Sequence, residues 1–420
     1  MIAATDFGAF LKERYPKSSD IMDLAKKNQP FREMLETDET QGGVDLRVPL
    51  IVGTNTRRSC TFSVAQGAAD NASTSYLAFK MTLAQDFCVA SWSSKALKTT
   101  EGDANALAQL VDSEMKRSVQ ALERSYGIKL FRSGTGSVCQ LDSTVAVGSV
   151  AAVKLYPQGS AQHFEIGDVV QLSATDGSAL RNSGALAYVI SVDRSLDKIG
   201  LAATAGGALA APTTMIAAAQ ASDFVYKYGD AANGGANIAV EGVLSFIPAS
   251  TSGLGTAFYN VTRSADPVRL AGDRIDNTTL TLPIDEVLVY AVTQGEINGA
   301  EIDAIFMHPY QVRDLVNRMS SRLVRSDQKK GKIGFGSLAL LTDSGREVQI
   351  YGDINCDYRY AVVTQMNTWK LISAGPAIHV DNFDGNEFLR TSTASGYELR
   401  LQGYPQLTNN APGWTVLVTL

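Results

Sequence analysis

The sequence predicts an α+β chain, and three observations carry that expectation. Arg58–Gln66 and Tyr76–Ala84 alternate apolar and polar residues with the period of a strand. Asp103–Tyr126 carries a single apolar stripe, Leu107, Val111, Met115, Val119, Leu122 and Tyr126, at three- and four-residue steps. After residue 280, strand and helix patterns succeed one another as they do in an α/β layer. At 420 residues, 45% hydrophobic and 19% charged, the chain is too long for one ordinary core and apolar enough for two or three.

In chain order, residues 1–43 read as an arm. Ser19–Asn28 predicts a short helix stopped by Pro30, a second turn follows at Phe31–Leu35, and an acidic link ends at Gly42 and Gly43. Residues 44–97 read as an extended β-hairpin, its strands being Arg58–Gln66 and Tyr76–Ala84 and its tip the small polar stretch Gly67–Ser75. Val64, Leu77 and Phe79 then lie on an apolar face that two strands cannot bury alone, so another surface should receive it. Residues 98–149 contain the long helix, with Asp103 as N-cap and Gly127 at the left-handed C-cap position.

Residues 150–228 read as an inserted all-β module. FEIGDVVQL, ALAYVISVD and KIGLA are short strands parted by Gly, Asn and Asp turns, which suits a small barrel or sandwich. Residues 229–350 mix helix and strand: Ile284–Gln294 is a helix begun by Pro283, Ile302–Met307 a buried strand and Pro309–Ser320 a helix with Val312, Leu315, Val316 and Met319 inward. A basic, glycine-containing loop follows at Arg325–Gly336. Residues 351–420 are mostly strand.

Little here suggests chemistry. The three histidines, His163, His308 and His379, have no metal-ligand spacing, and His308 before Pro309 reads as a cap or packing residue. No G-x-S-x-G elbow is present, and Gly134–Gly136 and Gly331–Gly336 match no phosphate loop and read as turns. The four cysteines, Cys60, Cys88, Cys139 and Cys356, are widely spaced, which excludes a zinc knuckle or a disulfide scaffold and suggests reduced, mostly buried thiols. A net charge of −6 speaks against a whole-chain grip on nucleic acid. No signal peptide or membrane span is expected. No catalytic residue, metal or cofactor is assigned.

The order of parts (arm, long hairpin, isolated helix, α/β layer, return strands) resembles the major capsid proteins of tailed bacteriophages, with the Hong Kong 97-type fold. SYGIKLFRSGTG at Ser125–Gly136, FVYKYGD at Phe224–Asp230, YNVTRSADPVRLAG at Tyr259–Gly272 and IFMHPYQVRDLVNRM at Ile305–Met319 are similar to capsid segments. The resemblance implies an arm at 1–43, an extended loop at 44–97, a spine helix and the first part of a peripheral domain at 98–149, an axial domain at 229–350 and its peripheral return strands at 351–420. It leaves 150–228 as an insertion. It also implies a structural protein that assembles as pentamers and hexamers around double-stranded DNA, in a virion built in the bacterial cytoplasm.

The partners it implies are other copies of the chain, a portal, a decoration protein and a scaffolding protein. A start at Met1 without a helical leader favours a separate scaffold. Packaged DNA would be enclosed without tight binding. Two contact regions are expected: the hairpin through Val64, Leu77 and Phe79, and the axial loop through Arg325, Lys329, Lys330 and Lys332. Some capsid proteins crosslink a loop lysine to an asparagine, but Lys80 has no matching signature. The alternatives are an encapsulin-like shell holding cargo proteins, and a carbohydrate-active enzyme with a β-rich binding module.

Overall fold

The computed structural model describes residues 29–43, 45–51, 58–71, 76–95, 104–143, 152–207, 219–318, 323–325, 338–341, 345–382, 385, 389–391 and 395–420. Asp103, Ser19–Asn28 and most of the basic loop, with Lys329, Lys330 and Lys332, lie outside them. The long helix runs Ala104–Phe131, 28 residues, a rod of about 42 Å. It passes straight through Gly127, so the expected cap is wrong. A Cβ at Gly127 would stand 2.5 Å from Asn355 Nδ2 and 3.0 Å from Gln29 Cδ. This glycine is a notch for two neighbouring side chains, and the left-handed turn comes later, at Gly136 with φ 87°.

The described part of the stripe is buried as expected, with Met115, Val119, Leu122 and Tyr126 packed on Ala90, Trp92, Leu399 and Leu401, while the side chains of Leu107 and Val111 lie outside the described ones. Those four partners come from two long strands. Asp86–Ser93 pairs antiparallel with Gly396–Gly403 over eight residues, from Asp86↔Gly403 to Ser93↔Gly396. On the far side of Gly396–Gly403 lie the short strands His379–Val380 and Leu389–Arg390.

The hairpin forms with a different partner. Tyr76–Thr82 pairs with Asp45–Ile51, in the register Leu46↔Met81, Val48↔Phe79 and Leu50↔Leu77. The predicted first strand is instead part of a helix, Phe62–Asn71. Ala65, Gln66, Ala68 and Ala69 favour helix, and a short alternation is also compatible with helical turns when no strand lies alongside. One face of the ribbon is already covered. Leu46, Val48, Leu50, Phe79 and Met81 join a core with Val243, Phe246 and Val261. The expectation that this face needs a second subunit is therefore corrected.

The described end of the arm packs into its own chain. Pro30 opens the helix Pro30–Met34, and Phe31, fully buried, stands 5.0 Å from the Phe131 ring, 5.1 Å from Phe306 and 6.2 Å from Trp369. Glu36–Asp38 then lies parallel to Trp369–Ser373, which pairs on its other edge with Pro405–Asn409.

The β module is a closed six-stranded barrel. It takes in Ser137–Leu141, ahead of the boundary expected at 150, and closes through Phe224–Lys227. Ile128 of the long helix belongs to its core. Where the barrel joins the rest, entry and exit touch: a Cβ on Gly136 would stand 1.9 Å from the Asp230 carbonyl oxygen.

A seven-stranded sheet forms the remaining layer, in the order Asp273–Asp276, Val416–Thr419, Tyr360–Thr364, Ala304–Met307, Glu347–Gly352, Leu338–Leu341, Leu323–Arg325. The helix Ile284–Ile297 packs Val287, Leu288, Ala291 and Val292 into the core on it. Pro309–Arg318 follows the central strand, with Leu315 buried and Val312 and Val316 half-buried. The boundary expected at 350 does not divide this sheet: two of its strands come from the last seventy residues, because the final strand must return to satisfy Tyr360–Thr364 and Asp273–Asp276.

Candidate assembly surfaces

At the start of the helix Phe62–Asn71 the described side chains are mostly exposed. Ser59 Oγ accepts the Thr61 N–H just ahead of it, 3.1 Å. Phe62 is 80% exposed and Val64 59%, and of the described side chains from Phe62 to Gly67 only Ala65 is even half-buried. Leu77, at the rim of the ribbon, is 36% exposed. Phe79 is not available at all: its ring lies 5.4 Å from Phe258 and 6.3 Å from Phe246, edge to face. Of the three hairpin residues, Val64 and Leu77 are exposed and Phe79 is buried. Of the axial-loop residues, Arg325 ends the strand Leu323–Arg325. Lys80, the loop lysine, pairs with Asp45 at 2.9 Å.

Where the arm root meets the long helix, charge is buried. Arg32 lies over the Tyr126 ring at 5.3 Å, and Gln29 Nε2 donates to the Glu123 carbonyl, 3.2 Å. Burial pushes the Glu123 carboxyl up to about 7 against the pull of Arg32 and Arg124. Asp353 accepts the Phe31 N–H at 3.3 Å and the Asn355 N–H at 2.9 Å, and burial raises it to about 6.

The base of the barrel rests on a second buried cluster. Asp357 takes Arg132 at 2.7 Å and Arg359 at 2.7 Å. Burial alone would raise its pKa, but Arg132 and the hydrogen bonds from Arg359 hold it at about 2. Arg359 also donates to Gln140 of the barrel, 2.9 Å, and Gln162 donates to the Ile354 carbonyl, 2.8 Å.

His163 and His308 are buried beside this cluster, and desolvation lowers them to about 3 and about 4, so both are neutral at ordinary pH. His308 acts as a cap, its Nδ1 accepting the Tyr310 N–H at 3.3 Å. The thiols divide: Cys139 and Cys356 are buried, Cys88 is half-buried and Cys60 is exposed, which corrects the expectation of mostly buried thiols.

A cleft of about 480 Å³ opens between the end of the ribbon and the segment after the barrel, lined by Asp86, Phe87, Lys129, Tyr228, Asp230 and Ile238 among others. Lys129 holds Asp86 at 2.9 Å and Asp230 at 3.5 Å, so its charge is already met. Among the described residues, no group of three or more His, Cys, Asp or Glu could hold a metal ion, and no helix is long and apolar enough to cross a membrane. Apart from the helix Phe62–Asn71, two features of this surface escape a reading of the sequence. The arm root is hidden because Phe31 has its partners about 100 to 340 positions away. The exposed pair Phe87 and Val89, 56% and 53% exposed, sits in a strand whose alternation is plain but whose outward side is not.

No family model matches the chain, and no curated protein matches it. Solved structures of similar fold align over nearly its whole length. The capsid of cyanophage A-1(L) matches with a TM-score of 0.45 and 8% identity, over 93% of this chain and 92% of the other. Gordonia phage Cozz matches with 0.42 and 10% identity, over 94% and 86%. The SrpI encapsulin complex of Synechococcus elongatus PCC 7942 matches with 0.41 and 8% identity, over 94% and 88%. At these values nothing about activity follows from the similarity.

Proposed function

We propose that the chain is the major capsid protein of a tailed bacteriophage, a structural and non-catalytic subunit that assembles as pentamers and hexamers into an icosahedral shell around double-stranded DNA. The observation that carries this is the start of the helix Phe62–Asn71, where Phe62 and Val64 project exposed from an extended loop. Several such side chains, each worth about 1.5–3 kcal/mol on burial, can fasten one subunit to the next. The order of arm root, ribbon, long helix beneath a sheet, and seven-stranded layer supports the same reading.

The acidic balance, −6, suits a container whose contents must move, since phosphate neutralisation would fix DNA to the wall. A portal, a separate scaffolding protein and a decoration protein complete the assembly, which forms in the bacterial cytoplasm. An encapsulin-like shell would share the architecture and differ in its contents. Electron microscopy of purified particles, with assay of their nucleic acid and protein content, tests this. Closed shells carrying DNA support it, shells carrying a cargo protein favour the encapsulin, and a chain that stays monomeric with its scaffold present overturns both.

A further inference from the structure

The cleft beside Lys129 and the helix Phe62–Asn71 belong to opposite ends of one ladder. The cleft begins at Thr82, which pairs with Asp45, and takes in Asp86 and Phe87. The helix lies in the sequence between Ile51 and Tyr76, the pair at the other end. A ladder of seven pairs at about 3.4 Å per residue puts about 20 Å between those ends. None of the residues lining the cleft comes from Arg58–Asn71.

At about 480 Å³ the cleft falls in the range, about 300–1,000 Å³, that receives a compact ligand, so it has room for a few side chains. Three large side chains of its lining are exposed: Phe87 at 56%, Tyr228 at 62% and Ile238 at 48%. Such a gathering of exposed apolar surface marks a contact site. The charged residues of the lining are Asp86, Asp230 and Lys129, two negative and one positive. Burial keeps the Asp230 carboxyl above its ordinary value even with Lys129 beside it. Its side chain is still 30% exposed, so a second cation can reach it and would stabilise its charged form.

The segment Arg58–Val64 carries the complementary set. Arg58 is exposed, Phe62 and Val64 stand out behind it, and no acid lies between them. We propose that Arg58, Phe62 and Val64 of one copy of the chain fill this cleft on a second copy, the apolar pair against Phe87, Tyr228 and Ile238 and the guanidinium against Asp230 and Asp86. The inference rests on the shell reading and names the surface that receives the exposed segment. A second copy fits because the charges match one to one, a single surplus carboxylate meeting a single arginine. Donor and receiver are different patches, so the contact is heterologous. Each copy gives its segment to one neighbour and accepts that of another, an arrangement that closes into rings.

Crosslinking of the full chain during assembly reads the contact. In a Cys88→Ser background, Ile238→Cys puts a thiol at the cleft. Cys60, just ahead of Phe62, is exposed, while Cys139 and Cys356 are buried. A short bismaleimide should link Cys60 to position 238 of the next copy and give a ladder of covalent multimers that runs past two copies. Adding Cys60→Ser should abolish that ladder. Separately, Ile238→Asp should leave the urea midpoint of dispersed subunits at the parental value. It should raise the concentration at which shells form at least about tenfold, the factor that one lost aliphatic contact carries. Arg58→Glu should raise it too, by less in high salt, where the charges are screened.

Closed shells without a link from Cys60 to position 238, and formed by Ile238→Asp at the parental concentration, overturn this inference and leave the shell reading standing. Links confined to single chains mean that the segment folds onto its own cleft, and a product that stops at two copies means an isologous contact; either overturns the inference. Linked rings that never close into shells uphold the docking and overturn the shell reading. A chain that stays monomeric with its scaffold present, and unlinked, overturns both.

Discussion

Phe79 and the pair Phe62 and Val64 separate folding from assembly. Phe79 is fully buried between Phe246 and Phe258. An aromatic of this kind removes roughly 150–250 Å² from water, worth about 4–6 kcal/mol at roughly 25 cal/mol per Å². Alanine keeps part of that, and the two edge-to-face neighbours add to the loss, so Phe79→Ala should cost the subunit about 4 kcal/mol. Against a domain stability of 5–15 kcal/mol this is large and not fatal. Phe62 and Val64 are 80% and 59% exposed, so Phe62→Ser with Val64→Ser should move subunit stability by no more than about 0.5 kcal/mol. Denaturant unfolding of dispersed subunits, followed by tryptophan fluorescence, measures the first quantity. Trp369 reports on the region because its ring lies 5.3 Å from Phe246. Sedimentation of the assembly reaction measures the second. The double serine variant should unfold like the parent and yield no closed shells. A loss below about 1 kcal/mol in Phe79→Ala, or shells at parental yield from the double variant, would refute the assignment of these residues to interior and interface.

Three further outcomes are expected. Asp357, held at about 2 against an ordinary 3.8, contributes stability above pH 4 that is lost as pH falls towards 2, about 2 kcal/mol in all; Asp357→Asn should remove that dependence and cost about 3–5 kcal/mol at neutral pH by stranding Arg132 and Arg359, read from urea midpoints across pH. Glu123 has the opposite sign: raised to about 7 from 4.5, its charged form penalises the fold increasingly as pH climbs through that window, by about 2 kcal/mol after allowance for solvent, and Glu123→Gln should flatten the profile between pH 5 and 8. Replacing 150–228 by a Gly/Ser linker should abolish cooperative calorimetric unfolding, because it removes Phe224–Lys227 and leaves Ser137–Leu141 without its neighbours; excising 137–229, whose flanks touch at Gly136 and Asp230, should preserve it.

What was legible in the sequence was what local periodicity encodes. The stripe from Met115 to Tyr126, the strand Tyr76–Thr82 and the turn-rich barrel strands all carry their signal within ten or so residues, because one buried face imposes one period. Pairing was not legible. Asp45–Ile51 alternates Leu46, Val48 and Leu50, yet the alternation of Arg58–Gln66 lies nearer to Tyr76–Thr82 in the sequence, and the true ladder closes over a helix. Gly127 shows a second limit. Glycine late in a helical pattern signals a cap, but the same absence of Cβ also serves close approach, and only Asn355 and Gln29, far away in sequence, decide between them. Phe31 belongs to the same class, and so does the contact of Asp357 with Arg132, since those partners converge only in three dimensions.

A subunit that must fold alone and then join others has to separate what it satisfies from what it leaves open. Here the separation follows chain order along one loop. The base of the ribbon is fixed by Val48, Phe79 and Met81 in its own core, and its return strand by Cys88, Ala90 and Trp92 turned towards the long helix. Between those anchors Phe62 and Val64, on the helix Phe62–Asn71, stay exposed. Apolar side chains left exposed on a free subunit invite aggregation. They persist at low risk only if the surfaces that cover them are displayed by identical neighbours at high local concentration, so that the correct contact forms before a wrong one. The buried charges act to the same end. Arg132 with Asp357 adds little net stability over apolar packing, but with Arg359 reaching Gln140 it ties the barrel to the end of the long helix, as Gln29 and Arg32 tie the arm root to Glu123 and Tyr126. Rigid anchors on both sides of an unsatisfied surface are what let one subunit present it to the next in a constant geometry.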